Sequence, residues 1–149
     1  METSKIGADV ALHLERRFAA PPERVFDAWT RAEALTRWFG PDSGYSTRVH
    51  ELDVRPGGRY RIEMKGMDRD PSVCHGTYRE VSRPGRLVFT WQWESRPEMP
   101  LTLVTITIEP DGTGSRLVLT HEHFADATDR DNHEKGWTGC LAQLPGVLA

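Results

Sequence analysis

Arg55-Pro-Gly-Gly58 followed by Arg59-Tyr-Arg-Ile-Glu-Met-Lys65 reads as a tight turn running into a strand. Tyr60, Ile62 and Met64 fall on one side of it, and the charged residues between them fall on the other. A period of two suits a pleated ribbon with one face buried and one wet. The glycines supply the positive φ that such a turn needs at little steric cost. The same grammar continues on both sides. Upstream, Ser46 to Val54 is a strand. Downstream come Ser72 to Val81, then the turn Arg83-Pro-Gly85, then Leu87, Phe89, Trp91 and Trp93 alternating with Val88, Thr90 and Gln92. Leu101 to Glu109 and Ser115 to His123 follow, joined by Pro110-Asp-Gly112. Strands linked by turns this short must pair antiparallel, so the expected sheet is a meander.

Two flanks complete the order. At the start, Val10 to Phe18 alternates as a half-buried first strand and ends at Ala19-Ala-Pro-Pro22. Glu23 to Trp29 then places Val25, Phe26 and Trp29 at helical spacing behind a proline suited to a first turn. Thr30, with Glu33 three residues on, is expected to cap a second short helix through Leu35 and Trp38. At the end, Asp126 to Leu148 carries Trp137, Cys140, Leu141, Leu144 and Leu148 at three- and four-residue steps. Gly136 and Gly139 weaken that helix, and Pro145 should kink it.

The expected class is therefore α+β: a curved antiparallel sheet of six to seven strands wrapped around a long C-terminal helix, with two short helices between strands 1 and 2. Right-handed twist accumulates over six strands and curls the sheet, and the final helix is the only long amphipathic element available to cover the concave face. The 149 residues are read as one domain with its core over about residues 10 to 148.

Composition narrows the function. With 38% hydrophobic and 28% charged residues and a net charge of -3, nothing recruits nucleic acid or an anionic surface. No apolar run approaches the ~20 residues that a membrane span requires. Met1 to Asp9 carries charges and no apolar core, which argues against a secretory leader; a cytoplasmic protein with Cys74 and Cys140 as free thiols is expected.

Several segments together resemble the START-like (SRPBCC, helix-grip) superfamily, in the branch of the activator of heat-shock protein 90 ATPase homologue, C-terminal domain. They are Pro22-Glu-Arg-Val-Phe-Asp-Ala-Trp-Thr30, Leu35-Thr-Arg-Trp-Phe-Gly-Pro41 and Asp53-Val-Arg-Pro-Gly-Gly58, then Gly76-Thr-Tyr-Arg-Glu-Val81 and Leu87-Val-Phe-Thr-Trp91. Leu117-Val-Leu-Thr-His-Glu-His123 and His133-Glu-Lys-Gly-Trp137 complete the series in order over residues 10 to 148. The resemblance implies the helix-grip fold and a role such as binding lipids, hormones or polyketides, or cyclase or hydrolase chemistry. Chaperone stimulation and a stress role are weaker implications, because this chain lacks the separate N-terminal domain of full-length activators.

The residues point the same way. Trp38, Phe39, Tyr78, Phe89, Trp91, Trp93 and Trp137, with Met64, could line a cavity for a small apolar or aromatic molecule. His121 and His75, with Tyr78, are its expected polar handles, and His121 and His123 are expected on one face of their strand. No ligand set is spaced for zinc, so no metal and no other cofactor is expected. Among carboxylates, Glu51 or Glu80 could turn inward and carry a proton. Cys74 beside His75 is no nucleophilic pair, because adjacent strand residues face opposite sides. A binding module is preferred, with no catalytic residue assigned; an enzyme in the same pocket and a chaperone-interacting surface are the alternatives, and a homodimer is left open.

Overall fold

A computed structural model describes residues 10–148. The reading of Met1 to Asp9 as no leader lies outside the described residues. The elements run β1 (Ala11–Phe18), α1 (Pro22–Thr30), α2 (Ala32–Trp38), β2 (Ser46–Leu52), β3 (Arg59–Lys65), β4 (Ser72–Ser82), β5 (Arg86–Trp93), β6 (Thr102–Asp111), β7 (Gly114–Glu122), α3 (Ala127–Gln143) and α4 (Pro145–Leu148). All seven strands form one antiparallel sheet in the order β1-β7-β6-β5-β4-β3-β2. The meander is as expected, and β1 pairs with the last strand and forms the far edge.

Register explains the core. Leu14 faces Leu119, which faces Ile106, which faces Leu87, so one apolar row crosses four strands. A second row runs Leu12, His121, Val104, Phe89 and Tyr78. Every one of these side chains is buried. Glycine enters where backbones meet: a Cβ on Gly76 would stand 2.0 Å from the Thr90 carbonyl oxygen, so only glycine allows β4 to lie against β5 there.

Both short helices bury one face, Val25, Phe26, Ala28 and Trp29 on α1 and Leu35 and Trp38 on α2. Their junction differs from the expectation. Thr30 is the last residue of α1, and its hydroxyl donates back to the Phe26 carbonyl at 3.0 Å. Arg31, in extended conformation, occupies the cap of α2 with no side-chain bond. A threonine can donate one turn back as readily as it can accept one turn ahead, and here the first bond wins.

The C-terminal segment is helical as its stripe implies, and it breaks before Pro145. Asp126 caps α3, accepting from the Asp129 amide at 2.8 Å. The two ends of α3 differ. Trp137, Cys140 and Leu141 are its buried residues, so the half before Trp137 buries none. That polar half reaches the sheet through His133, which is bonded to Trp93 of β5, and a hollow opens beside it.

Candidate functional site

The hollow is a half-open cleft of about 650 Å³. Met64 and Ser72, with Trp91 and Trp93, form its sheet side, while Phe39, Pro41 and Tyr45 from the α2–β2 connection close one end. Helix α3 contributes His133, Gly136, Trp137 and Cys140. The lip is polar, with Arg69 and Arg96 from two hairpin loops and Asp129, Asn132 and Lys135 from α3. Its size lies within the usual range of small-molecule sites, about 300–1,000 Å³.

An aromatic wall is the main feature. The ring of Trp91 lies 5.2 Å from Trp137 and 5.3 Å from Trp93, and Phe39 sits edge-on to Trp137 at 5.7 Å. Each such pair contributes about 0.5–1.5 kcal/mol beyond the area it buries, so the wall is held in place. Hydrogen bonds fix it further. Trp137 Nε1 donates to His121 Nδ1 at 3.0 Å. The single Thr102 hydroxyl proton goes to the Trp91 carbonyl at 2.9 Å, so Thr102 Oγ1 accepts from His121 Nε2 at 2.7 Å. His121 therefore carries its proton on Nε2. Burial, and then the neighbouring His133, holds its pKa well below the ordinary 6.5, since a charge on this ring would be desolvated and unpaired.

His133 is braced in a parallel way. Trp93 Nε1 donates to its Nε2 at 2.9 Å, so the proton sits on Nδ1 and goes to the Asp129 carbonyl at 2.8 Å. Asp129 Oδ1 is 3.5 Å from the same nitrogen. The pair looks like a base and its orienting carboxylate, but the nitrogen that would take a substrate proton already receives one from Trp93. Trp91 is the exception in this network: its Nε1 is buried and has no acceptor among the described residues.

The expected site residues divide. Phe39, Met64, Trp91, Trp93 and Trp137 border the cleft. Trp38 does not; it is 1% exposed, donates to the Ala28 carbonyl at 2.8 Å and packs edge-on against Trp29. Tyr78 and Phe89 lie on the concave face in a separate aromatic cluster with Tyr60, with ring spacings of 5.4 to 5.9 Å. Burial drives the Tyr78 hydroxyl pKa far up, so it is no acid at neutral pH. His75 is a correction of placement: the buried neighbours Cys74 and Gly76 take the inner face, which turns His75 to the outer one, opposite Gln92 and Arg61. His121 is another. It stands behind Trp91 and Trp137 with both nitrogens engaged and is absent from the lining, so it braces the wall.

His123 leaves its strand with φ of 76°, and so does not share the face of His121. Glu51 and Glu80 are exposed, each beside a register shift that interrupts the alternation. Burial pushes the Cys140 thiol up to about 12 and the Cys74 thiol higher still, and both are free. Among the described residues no group of three or more His, Cys, Asp or Glu is placed to hold a metal. No helix among them is long and apolar enough to cross a membrane.

Sequence reasoning missed His133, Tyr45, Gly136 and the basic lip. His133 had a signal, since four residues before Trp137 on a helix is the same face. The lip had none, because its cations come from three separate segments.

Comparison with known proteins agrees with this fold. The family model of Activator of Hsp90 ATPase homolog 1-like protein matches residues 19–149. A solved protein from Chromobacterium violaceum is 30% identical, with a TM-score of 0.85 over 93% of this chain and 96% of the other. The AHSA1 protein from Silicibacter pomeroyi is 28% identical, with a TM-score of 0.80 over 91% and 95%. A protein from Nitrosomonas europaea is 26% identical, with a TM-score of 0.78 over 95% of each chain. No curated protein matches the chain.

Proposed function

The chain belongs to the Activator of Hsp90 ATPase homolog 1-like family, within the START-like superfamily, and on that premise we propose that it binds a small apolar or aromatic molecule between the sheet and α3. One observation carries the reading: a cleft of about 650 Å³ whose inner wall is Phe39, Trp91, Trp93 and Trp137. An aromatic wall of this kind gains free energy when a ring displaces water from it, at about 25 cal/mol per Å² of apolar surface covered. The site is a binder rather than a catalyst because its histidines are spent. All four ring nitrogens of His121 and His133 are engaged in hydrogen bonds that hold the wall. A ligand carrier or sensor within the cytoplasm fits this best.

Native mass spectrometry of the purified protein tests it. The expected spectrum contains a population heavier than the polypeptide by one small molecule, lost on collisional activation. A bare polypeptide mass, together with no binding of the uncharged fluorophore phenylnaphthylamine, would overturn the reading.

A further inference from the structure

The cleft has an apolar floor and a cationic lip, and the two halves specify different parts of one ligand. Arg69, Arg96 and Lys135 border the opening, against a single carboxylate, Asp129. This local positive balance sits on a chain of net charge -3, so it is a property of the lip and not of the surface at large. The balance is cancelled internally only in part, at Arg96. Arg69 and Lys135 make no ion pair among the described residues, and Arg96 has only a contact with the exposed Glu98 at 3.6 Å. The loop carrying Arg69 is held in place, because Lys65 Nζ donates to the Arg69 carbonyl at 2.6 Å. Asp129 is directed inward toward His133 Nδ1, at 3.5 Å, and away from a role as counter-ion to the lip.

Resting on the binding reading above, we propose that the ligand is an amphipathic monoanion, with an aromatic body against Trp91, Trp93 and Trp137 and its anionic group between Arg69 and Lys135. Cations at the edge of a low-dielectric cleft attract an anion more strongly than the same cations on an open surface. An uncharged ring would meet the same wall with no gain from the lip. The lip therefore selects on charge while the wall selects on shape.

Two fluorophores that share one ring system separate these contributions: anilinonaphthalene sulfonate, which is anionic, and phenylnaphthylamine, which is not. Both are titrated into the native protein and into Arg69→Gln/Lys135→Gln, whose exposed positions leave the fold untouched. The double variant should weaken sulfonate binding roughly fivefold and leave phenylnaphthylamine within about twofold. In the native protein, raising salt from about 0.05 to about 0.5 M should weaken the sulfonate alone. If phenylnaphthylamine binds but the sulfonate responds to neither the variant nor salt, the anion proposal falls and the cleft remains a binding site. If neither probe binds, both readings fall.

Discussion

Gly136 and Gly139 lie three residues apart on α3, and alanine should act on them in opposite directions. A Cβ built on Gly136 meets no heavy atom within 4 Å, because it projects beside the cleft. Alanine there removes the entropic cost of a helical glycine and should stabilise the protein by about 0.5–1 kcal/mol. For a chain of this length, that raises Tm by about 1–4 °C. A Cβ on Gly139 would stand 1.8 Å from the Pro41 carbonyl oxygen and 2.7 Å from its carbon. Those are backbone atoms, so α3 must retreat by more than an ångström, drawing Trp137, Cys140 and Leu141 out of their contacts. Overpacking of this severity costs about 3 kcal/mol, or a Tm lower by about 6–12 °C. Differential scanning calorimetry of the two variants beside the parent decides it. Loss of stability in Gly136→Ala would mean that the space beside α3 is filled, and would refute the reasoning.

Three further outcomes follow from the wall. Trp137→Phe and Trp91→Phe remove similar volumes, but only the first leaves His121 Nδ1 buried without its donor, so it should cost about 1–3 kcal/mol more in urea denaturation. His121 is held neutral with its pKa below 6.5, so its contribution is present above that pH and lost as pH falls below it, at up to about 1.4 kcal/mol per unit. The carboxylates with lowered pKa, Glu15, Asp27 and Glu94, lose theirs only below about 4.5. Between pH 7 and 5, His121→Gln should therefore show a flatter stability curve than the parent, and equal slopes would remove His121 from the account. With both thiols buried and pushed up, Ellman's reagent should find no fast thiol in the native protein and two after unfolding; a thiol that reacts within seconds natively would contradict the placement of Cys74 or Cys140.

Strand positions were legible because most strands alternate between a buried and a more exposed face, although β5 is buried on both from Leu87 to Trp91. The alternation of Tyr60, Ile62 and Met64 returns β3 as Arg59–Lys65, and the other strand ends fall within about two residues of their patterns. Features that break local periodicity were not legible. The bulges beside Glu51 and Glu80 come from how neighbouring strands pair, and the positive φ of His123 ends a strand that its residues would continue. The partner of β1 is about a hundred residues away, beyond any local pattern. In the site, the aromatic set was visible as types, but which rings reach the cleft depends on how α3 seats against the sheet. His121 shows the limit most clearly. Its place on the Leu117–Leu119 face is readable, whereas its engagement by Trp137 and Thr102 requires three elements to be assembled first.

Everything functional rests on open space beneath the first half of α3, and Gly136→Leu probes that space directly. The side chain would extend from an unobstructed Cβ into the cleft and fill part of its volume. Phenylnaphthylamine fluorescence, measured with a thermal melt on the same samples, should show affinity reduced at least about tenfold in a variant that melts no lower than the parent. Undiminished binding by a fully folded Gly136→Leu would place the molecule elsewhere and contradict the account.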